Sequence, residues 1–329
     1  MINWITRWFK GSGAAQATGQ QRAPAAPTAG ASLAPPFTTE VPVIDLPLLF
    51  YRYLAGGPSA EVPAATEQLI LDEFARLADS PHDGADLVPR VPAVIPQLLR
   101  SLRDDAMSGA ELSRQLAQDV VLVAEVIREA NSPYYSPAAP VRTIEGAVML
   151  LGQNGMRMLL ARVAFRPIIS MQAGRFAHQC APLVWRQSES CALAASLSAP
   201  SAGANVFEAY LAGLLHHVGL IVALRLIDQI YSGASLPRSA HFCARLLADA
   251  RRVSAGIATV WEFPPSVAAA IAGDAAGGPS SLAGVLAAAD RLAMLRLLVD
   301  AGQIDPALLP ALADTGELAI LEQLRVAPH

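Results

Sequence analysis

Apolar residues recur at helical spacing along most of this chain, and the alternation of apolar and polar positions that marks a strand is absent over useful lengths. In "AATEQLILDEFARLAD", Leu69, Ile70, Phe74 and Leu77 are predicted to share one face of an amphipathic helix. Beyond about residue 90, short apolar-periodic segments alternate with tight polar turns. The pattern predicts an all-α fold, a compact multi-helix domain.

Capping residues indicate where several of these helices begin and end. Ser108 with Glu111 and Asn205 with Glu208 have the spacing of capping boxes. Thr143 can cap "IEGAVMLL", and Gly152 is the predicted stop of that helix. The second capping box leads into "AYLAGLLHHVGLIVALRLIDQIY", which is predicted to be one continuous helix.

Composition divides the chain into four regions. Residues 1–40 contain an aromatic tip and a stretch of Gly, Ala, Gln, Pro and Thr that is predicted to be disordered. Residues 41–89 are predicted to be a helical extension packed on the core, and "VPVIDLPLLFYRYLAGGP" within them an extended segment or a short helix. Residues 90–300 form the main helical domain, and residues 301–329 a short C-terminal helix and a frayed tail.

The first ten residues, "MINWITRWFK", are unusually rich in large apolar side chains: Trp4, Ile5, Trp8 and Phe9. If they are helical, these side chains form one stripe flanked by two basic residues. Three interpretations stay open: a docking peptide for a partner protein, a weak peripheral membrane contact, or a start without a role. We favour docking, because the first ten residues contain three aromatic side chains, whereas aromatic residues make up only 6% of the whole chain.

The overall composition narrows the class of protein. The chain is 53% hydrophobic and 16% charged with a formal net charge of −4, so a nucleic-acid partner is not expected. Its three cysteines (Cys180, Cys191 and Cys243) are predicted to be reduced core thiols. We expect no transmembrane segment, since two His and an Arg interrupt the best candidate, and no secretory signal. The expected location is the cytoplasm.

The stretch "AGLLHHVGLI" places His216 and His217 inside an apolar helix. Neighbouring residues on a continuous helix point about 100° apart, so the two side chains are not expected to line one site equally well. A structural role, with each ring satisfied by a local partner, is therefore the favoured interpretation. A site for a metal or another ligand is the alternative.

Several stretches in order resemble the HDOD domain family. The first half of the likeness is "VPAVIPQLLRSLRDDAMSGAELSRQLAQDVVLVAEVIREANSPYYSPAAPVRTIEGAVMLLGQNGMRMLL", and the second includes "FEAYLAGLLHHVGLIVAL", "GIATVWEFPPSVAAAIAG" and "LAAADRLA". The likeness covers about residues 90–298 and is carried by Pro92, Pro96, Asp119, Asn131, Ser132, Gly152, Trp261, Pro264 and Asp290. We interpret Asn131 and Ser132 as caps of an interhelical turn, and Gly152, Trp261 and Pro264 as structural motif residues.

The resemblance implies an HD-like fold, related to metal-dependent phosphohydrolases and used as a bacterial signalling module that often lacks the hydrolase ligands. At the positions where such hydrolases carry metal ligands, this chain has Gln187, His217 and Arg252, and Gly273-Asp274 in place of a His pair. His216, Asp274 and Asp290 could still coordinate. These three candidates come from separate segments, and the Arg at a ligand position offers no lone pair, so we expect too few donors to converge for a metal, and we expect no cofactor and no catalysis.

Two hypotheses follow from the resemblance. The favoured one is a non-catalytic module that contacts an unidentified signalling protein and retains a vestigial pocket in which Arg252 anchors a small anion. The residues predicted to line that pocket are Trp185, Gln187, His216, His217, Arg252 and Asp290. The alternative is a divergent metal-dependent phosphohydrolase that acts as a nucleotide phosphodiesterase.

Overall fold

The helical prediction is confirmed by the computed structural model, which describes residues 44–56, 61–79, 87, 120–132, 135, 137–170, 174–273, 278 and 281–326. Within these ranges the chain forms helices and turns and no strand. The helices are α1 (Leu46–Leu54), α2 (Ala64–Asp79), α3 (Val120–Ala130), α4 (Ile144–Ser170), α5 (Arg175–Ser198), α6 (Val206–Leu215), α7 (Val218–Ile230), α8 (Ala240–Val260), α9 (Pro265–Ala272), α10 (Leu282–Asp300), α11 (Leu309–Leu312) and α12 (Thr315–Val326). Short 3-10 turns lie at Ala199–Ala202 and Pro306–Leu308.

Helix α5 lies at the centre of the described core. It packs along α6 and α10 and also contacts α7 and α4, while α7 packs on α8 and α8 on α9. Small side chains make this close packing possible, since Ala192 and Ala195 of α5 are fully buried and Gly213 of α6 lies against the α5 backbone at Ala192. A Cβ on Gly213 would lie 2.6 Å from main-chain atoms of Ala192, so only glycine allows this approach.

The N-terminal extension forms two helices that take part in the core. Helix α1 packs against α8 and α10, and its Phe50 and Tyr51 are fully buried. Helix α2 packs on α8, and its Ile70 and Phe74 are buried. The predicted face of α2 is wrong at one position: Leu69 is 54% exposed, because it lies about 100° from Ile70 on the helix.

Local capping chemistry appears at most of the predicted positions that the structure describes. Thr143 Oγ1 accepts a hydrogen bond from Gly146 N at 3.1 Å, and Asn205 Oδ1 accepts from the second and third backbone N–H groups of α6. Gly152 has φ 69° and interrupts the helical backbone of α4. The helix is kinked at this residue and continues beyond it to Ser170. Glu208 does not complete a capping box, because its carboxylate accepts from Ser266 Oγ at 2.6 Å.

The remaining motif residues connect helices. Asn131 ties the end of α3 to residue 141: its Nδ2 donates to the Val141 carbonyl at 2.7 Å and its Oδ1 accepts from Val141 N at 2.8 Å. Ser132 Oγ is buried and has no hydrogen-bond partner in the described part of the chain. Trp261 stacks on Phe165 with ring centroids 5.9 Å apart, and Pro264 precedes α9.

The stretch Val206–Ile230 is long and apolar enough to cross a membrane by composition alone, and 89% of its most hydrophobic window is buried within the protein. That burial is typical of a core segment. Beyond residue 300 the chain forms α11 and α12, and α12 buries Leu321 and Leu324. The aromatic tip (Trp4, Ile5, Trp8 and Phe9), the capping box at Ser108 and Glu111, and Asp274 lie outside the described residues.

Candidate functional site

The apolar segment that carries the His pair is not one continuous helix. Helix α6 ends at Leu215 and α7 begins at Val218, so His216 and His217 form the junction. His217 has φ −103° and ψ 8°, outside the helical values, and its ring lies 4.8 Å from that of His216 in a T-shaped arrangement. The prediction of one continuous helix is therefore wrong at this point.

A hydroxyl from another helix satisfies the backbone at this break. Ser254 of α8 is buried, and its Oγ donates to the His216 carbonyl at 2.9 Å while accepting from Gly219 N at 2.8 Å. Without this hydroxyl the buried Gly219 N–H and the part-buried His216 carbonyl would lose their partner, which is costly. Helix α8 can come this close because residue 219 is glycine: a Cβ there would lie 2.0 Å from the Ala250 carbonyl oxygen. The tertiary contact with α8 thus stabilises the break.

The break directs both imidazoles at one carboxylate. Asp290 of α10 has one oxygen 3.5 Å from His216 Nε2 and the other 3.3 Å from His217 Nε2. The His217 ring is covered on another side by Phe50 of α1, with ring centroids 6.0 Å apart. We call this group the Asp290 cluster; its members are His216 and His217 of the junction, Asp290 of α10 and the neighbouring Gln187 of α5.

Gln187 of α5 is completely buried and hydrogen-bonds Asp290 from within the core. Its Nε2 donates to Asp290 Oδ1 at 2.8 Å and to the Asp290 main-chain carbonyl at 3.2 Å. Three other polar atoms of the cluster are buried without a hydrogen-bond partner among the described residues: His216 Nδ1, His217 Nδ1 and Gln187 Oε1. Such orphaned atoms are uncommon in folded proteins and single this cluster out within the core.

Burial decides the charges in the cluster. Desolvation lowers the pKa of His217 to about 4, against the opposing effect of Asp290, so this imidazole is neutral near pH 7. Burial by itself would raise the pKa of Asp290, but His217, His216 and the Gln187 amide together hold it well below its ordinary value. The cluster at neutral pH is thus an ionised carboxylate that faces a neutral His217.

A pocket of about 370 Å³ opens beside the cluster, between the start of α1 and helices α8, α9 and α10. Of the residues predicted for the vestigial pocket, His216 and Asp290 line it. Gln187 and His217 touch Asp290 from inside the core, and Trp185, although buried, is not among the lining residues. Residues two apart on a helix point in nearly opposite directions, which separates Trp185 from Gln187.

The prediction that Arg252 anchors an anion in this pocket is wrong. Arg252 forms ion pairs with Asp79 of α2 and Asp249 of its own helix, and it is not a lining residue. Its neighbour Arg251 lines the pocket instead. A shift of one residue turns a helical side chain by about 100°, so an alignment by sequence motif cannot decide which of two adjacent arginines faces a cavity.

Three donor residues of the cluster lie close enough together that they could hold a metal ion. His216, His217 and Asp290 each offer one ligand atom, and these atoms lie within 4.8 Å of one another. Neighbouring ligands of a tetrahedral site with bonds of about 2.0–2.1 Å lie about 3.3–3.4 Å apart. The His216 and His217 separations of 3.5 Å and 3.3 Å are similar but involve different oxygens of Asp290, so one shared ion would require the side chains to adjust. Two imidazoles and one carboxylate suit a borderline ion such as Zn²⁺ better than Mg²⁺. His217 is thus a possible donor that the sequence-based reasoning had not counted beside His216 and Asp290.

Comparison with known proteins agrees with this architecture. The sequence model of the HDOD domain matches residues 88–276, more than half of the chain. The chain belongs to the HDOD family. The HDOD match includes the His pair, Ser254 and Arg251, whereas α1, α2 and α10 lie outside it.

Among curated proteins, an uncharacterised protein of Treponema pallidum (strain Nichols) is 24% identical over 210 residues, which is 60% of this chain. The match covers 39% of that protein, so this HDOD chain spans about two fifths of the relative.

Solved structures show the same fold at low identity. An HDOD domain protein of unknown function from Geobacter sulfurreducens is 22% identical with a TM-score of 0.55, covering 77% of this chain and 89% of its own. A protein from Shewanella amazonensis SB2B named as a candidate metal-dependent phosphohydrolase is 19% identical with a TM-score of 0.54, covering 79% and 98%. A candidate signal transduction protein from Marinobacter aquaeolei VT8 is 18% identical with a TM-score of 0.51, covering 79% and 66%.

Sequence reasoning missed three residues that shape the site: Ser254, Phe50 and Arg251. The signal for Ser254 is a small hydroxyl on the apolar face of "RRVSAGIATV", where a buried polar side chain requires a partner. Phe50 carries no such signal, because its contact with His217 joins residues far apart in the chain.

Proposed function

We propose that this HDOD protein is a non-catalytic regulatory module that acts through contacts with other signalling proteins. The observation that carries the proposal is the environment of Asp290. Its carboxylate takes a 2.8 Å hydrogen bond from the Gln187 amide and lies between two imidazoles, one of which is buried beneath Phe50. The Asp290 carboxylate is thus already bound by donors of the protein, as in a structural polar network, and this supports a role without metal catalysis.

Metal-assisted hydrolysis makes further demands on this site. A catalytic ion needs an open coordination position that faces the substrate, and it supplies an activated water there. Of the three donors, only His216 and Asp290 reach the pocket, and the third, His217, is 5% exposed. The names of the structural neighbours include both a candidate phosphohydrolase and a candidate signal transduction protein, and the second class agrees with the proposal.

The donor geometry also favours a second candidate function, a divergent metal-dependent phosphohydrolase. His216, His217 and Asp290 would then hold one ion, and a bound water would act on a phosphodiester at the mouth of the pocket. The three-ligand minimum of catalytic zinc sites is met, which is the specific observation in favour of this alternative.

Hydrolysis of bis(p-nitrophenyl) phosphate distinguishes the two functions. The purified full chain is assayed with Mn²⁺, Mg²⁺ or Zn²⁺ beside the variants His216→Ala and Asp290→Asn. We expect the wild-type rate to equal that of both variants with every metal. A metal-dependent rate that both substitutions remove would establish the hydrolase, and stoichiometric metal in the purified protein would point the same way.

The regulatory role is tested by affinity purification with the full chain and with a chain that lacks residues 2–10. We expect a signalling protein to be retained reproducibly by the full chain, with a direct interaction between the two purified proteins. Loss of the partner on deletion would assign the docking role to the aromatic tip. Absence of any partner beyond those of an unrelated helical protein would contradict the proposed role.

A further inference from the structure

The pocket beside the Asp290 cluster is built largely by parts of the chain outside the HDOD match. Ten of its fifteen lining residues lie before residue 88 or after residue 276. They come from the start of α1 and from one face of α10. Its shape and chemistry therefore depend on the N-terminal extension and the C-terminal part of this chain.

The walls of the pocket are aliphatic. Ile44, Leu46, Ile271, Leu286 and Met294 line it, and its volume of about 370 Å³ is within the range of small-molecule sites. The polar side chains of the lining are His216 and Asp290 of the Asp290 cluster and three further charged residues, Asp45, Arg251 and Arg291. Mostly apolar walls with a few placed polar groups are the usual composition of a ligand pocket.

Among the described lining residues, Arg251 is the cation that is available to a ligand. Within the described residues its guanidinium makes no hydrogen bond or ion pair, and its Nη1 lies near Gly273 at the end of α9. The other lining arginine, Arg291, is engaged by Glu317 and by the Leu312 carbonyl.

The two lining carboxylates are both occupied by protein donors. Asp45 Oδ1 accepts from Leu48 N and caps α1, and Asp290 is held in its cluster. Arg251 thus faces the cavity with no carboxylate of the described lining bonded to it. An unpaired guanidinium beside an apolar cavity favours an oxyanion that it can bind with two parallel hydrogen bonds.

We propose that this pocket binds a small amphipathic ligand that carries a phosphate ester or a carboxylate on a compact apolar body. Arg251 binds the oxyanion, and the aliphatic walls from α1 and α10 bind the body. Such a ligand touches α1 and helices α8 to α10 at once, so its binding stabilises the docking of the N-terminal extension on the HDOD body. This inference goes beyond the proposed function, since it requires neither a partner protein nor a metal.

Calorimetric titration of the metal-free full chain tests the site with four probes. Benzyl phosphate and hexanoate carry both features, inorganic phosphate carries only the anion, and benzyl alcohol carries only the apolar body. We expect at least one amphipathic probe to bind about tenfold more tightly than inorganic phosphate and benzyl alcohol, because charge and apolar contact then act together. The tighter of benzyl phosphate and hexanoate identifies the preferred oxyanion.

Two variants locate the binding. Arg251→Ala should weaken the amphipathic probe about tenfold or more, whereas Arg76→Ala, which removes an exposed arginine of α2, should leave its affinity unchanged. Ala287→Trp fills the pocket from an exposed lining position and should abolish binding, with an unchanged circular dichroism spectrum as evidence of folding.

The proposal is overturned if neither amphipathic probe binds saturably below about 10 mM, a weak affinity for ligands of this size. Equal affinity in the wild type and Arg251→Ala, or in the wild type and a folded Ala287→Trp, overturns it as well. Because no metal, hydrolysis or partner enters this measurement, its failure is distinct from failure of the proposed function.

Discussion

Ser254 and Gly219 meet where helix α8 crosses the break between α6 and α7: the Ser254 hydroxyl accepts the Gly219 N–H at 2.8 Å. The same hydroxyl donates to the His216 carbonyl at 2.9 Å, so one side chain satisfies backbone groups on both sides of the junction. The orientation of the His pair toward Asp290 therefore rests on a contact between helices that are separate in sequence.

Replacing Ser254 with Ala is expected to destabilise the fold by about 1–3 kcal/mol, since the buried Gly219 N–H and the part-buried His216 carbonyl lose their partner. Urea unfolding followed by circular dichroism measures this change. Ser266→Ala is the matched control, because Ser266 hydrogen-bonds Glu208 at an exposed position, and it should change the free energy of unfolding by less than about 0.5 kcal/mol. Equal effects of the two substitutions would contradict the bridging role of Ser254.

Gly219→Ala is expected to cost more than about 3 kcal/mol or to prevent folding, at or beyond the upper end of ordinary overpacking costs. The added Cβ would lie 2.0 Å from the Ala250 carbonyl oxygen, which belongs to the backbone and cannot rotate away. Gly146→Ala is the control, since the nearest atom to its Cβ would be 3.5 Å away. That variant should be neutral or stabilised by up to about 1 kcal/mol. A Gly219→Ala protein as stable as wild type would show that α7 and α8 are not this close.

The stability of the protein should fall as the pH drops from about 6.5 to about 4, in part because of His217. Burial lowers the pKa of the folded His217 to about 4, whereas the unfolded side chain titrates near its ordinary value of about 6.5. The unfolded chain therefore binds a proton that the folded chain excludes, and the lost stability approaches about 3 kcal/mol at the acidic end. Urea unfolding at a series of pH values measures it.

The contribution of His217 to that pH dependence is isolated by comparison with His217→Gln, which cannot titrate. The difference in free energy of unfolding between wild type and His217→Gln should shift in favour of the variant as the pH falls. His178→Gln, at an exposed position, should follow the wild type throughout. Parallel pH profiles for wild type and His217→Gln would mean that His217 is not buried as a neutral ring.

Phe50→Ala is expected to destabilise the whole protein by about 3–5 kcal/mol, even though Phe50 lies outside the HDOD match. The ring is fully buried and contacts His217, so its removal leaves a cavity beside the cluster. Leu69→Ala, on the 54% exposed position of α2, should change stability by less than about 0.5 kcal/mol. A small effect of Phe50→Ala would indicate that α1 is not an integral part of the core.

Features that depend on local chemistry were predictable from the sequence. The all-α class follows from the apolar period, and the caps at Thr143 and Asn205 and the break at Gly152 follow from residues that act on their own backbone within a few positions. The family follows from motifs that appear in order along the chain. The outward turn of Leu69 was not predicted, because an apolar residue at the edge of a stripe has no local feature that decides its burial.

The site required the tertiary structure. His216 and His217 share one carboxylate because Gly219 allows α8 to approach and Ser254 of α8 stabilises the break between α6 and α7. The leucine-rich sequence does not predict this break. Arg251 rather than Arg252 faces the pocket because Asp79 and Asp249 hold Arg252 elsewhere. The sequence by itself determined the all-α class and the family, since both depend on patterns between residues that are close along the chain. The convergence of side chains at the site was decided by packing between segments that are distant along the chain. There, the distance between two helix backbones decides which side chains come into contact.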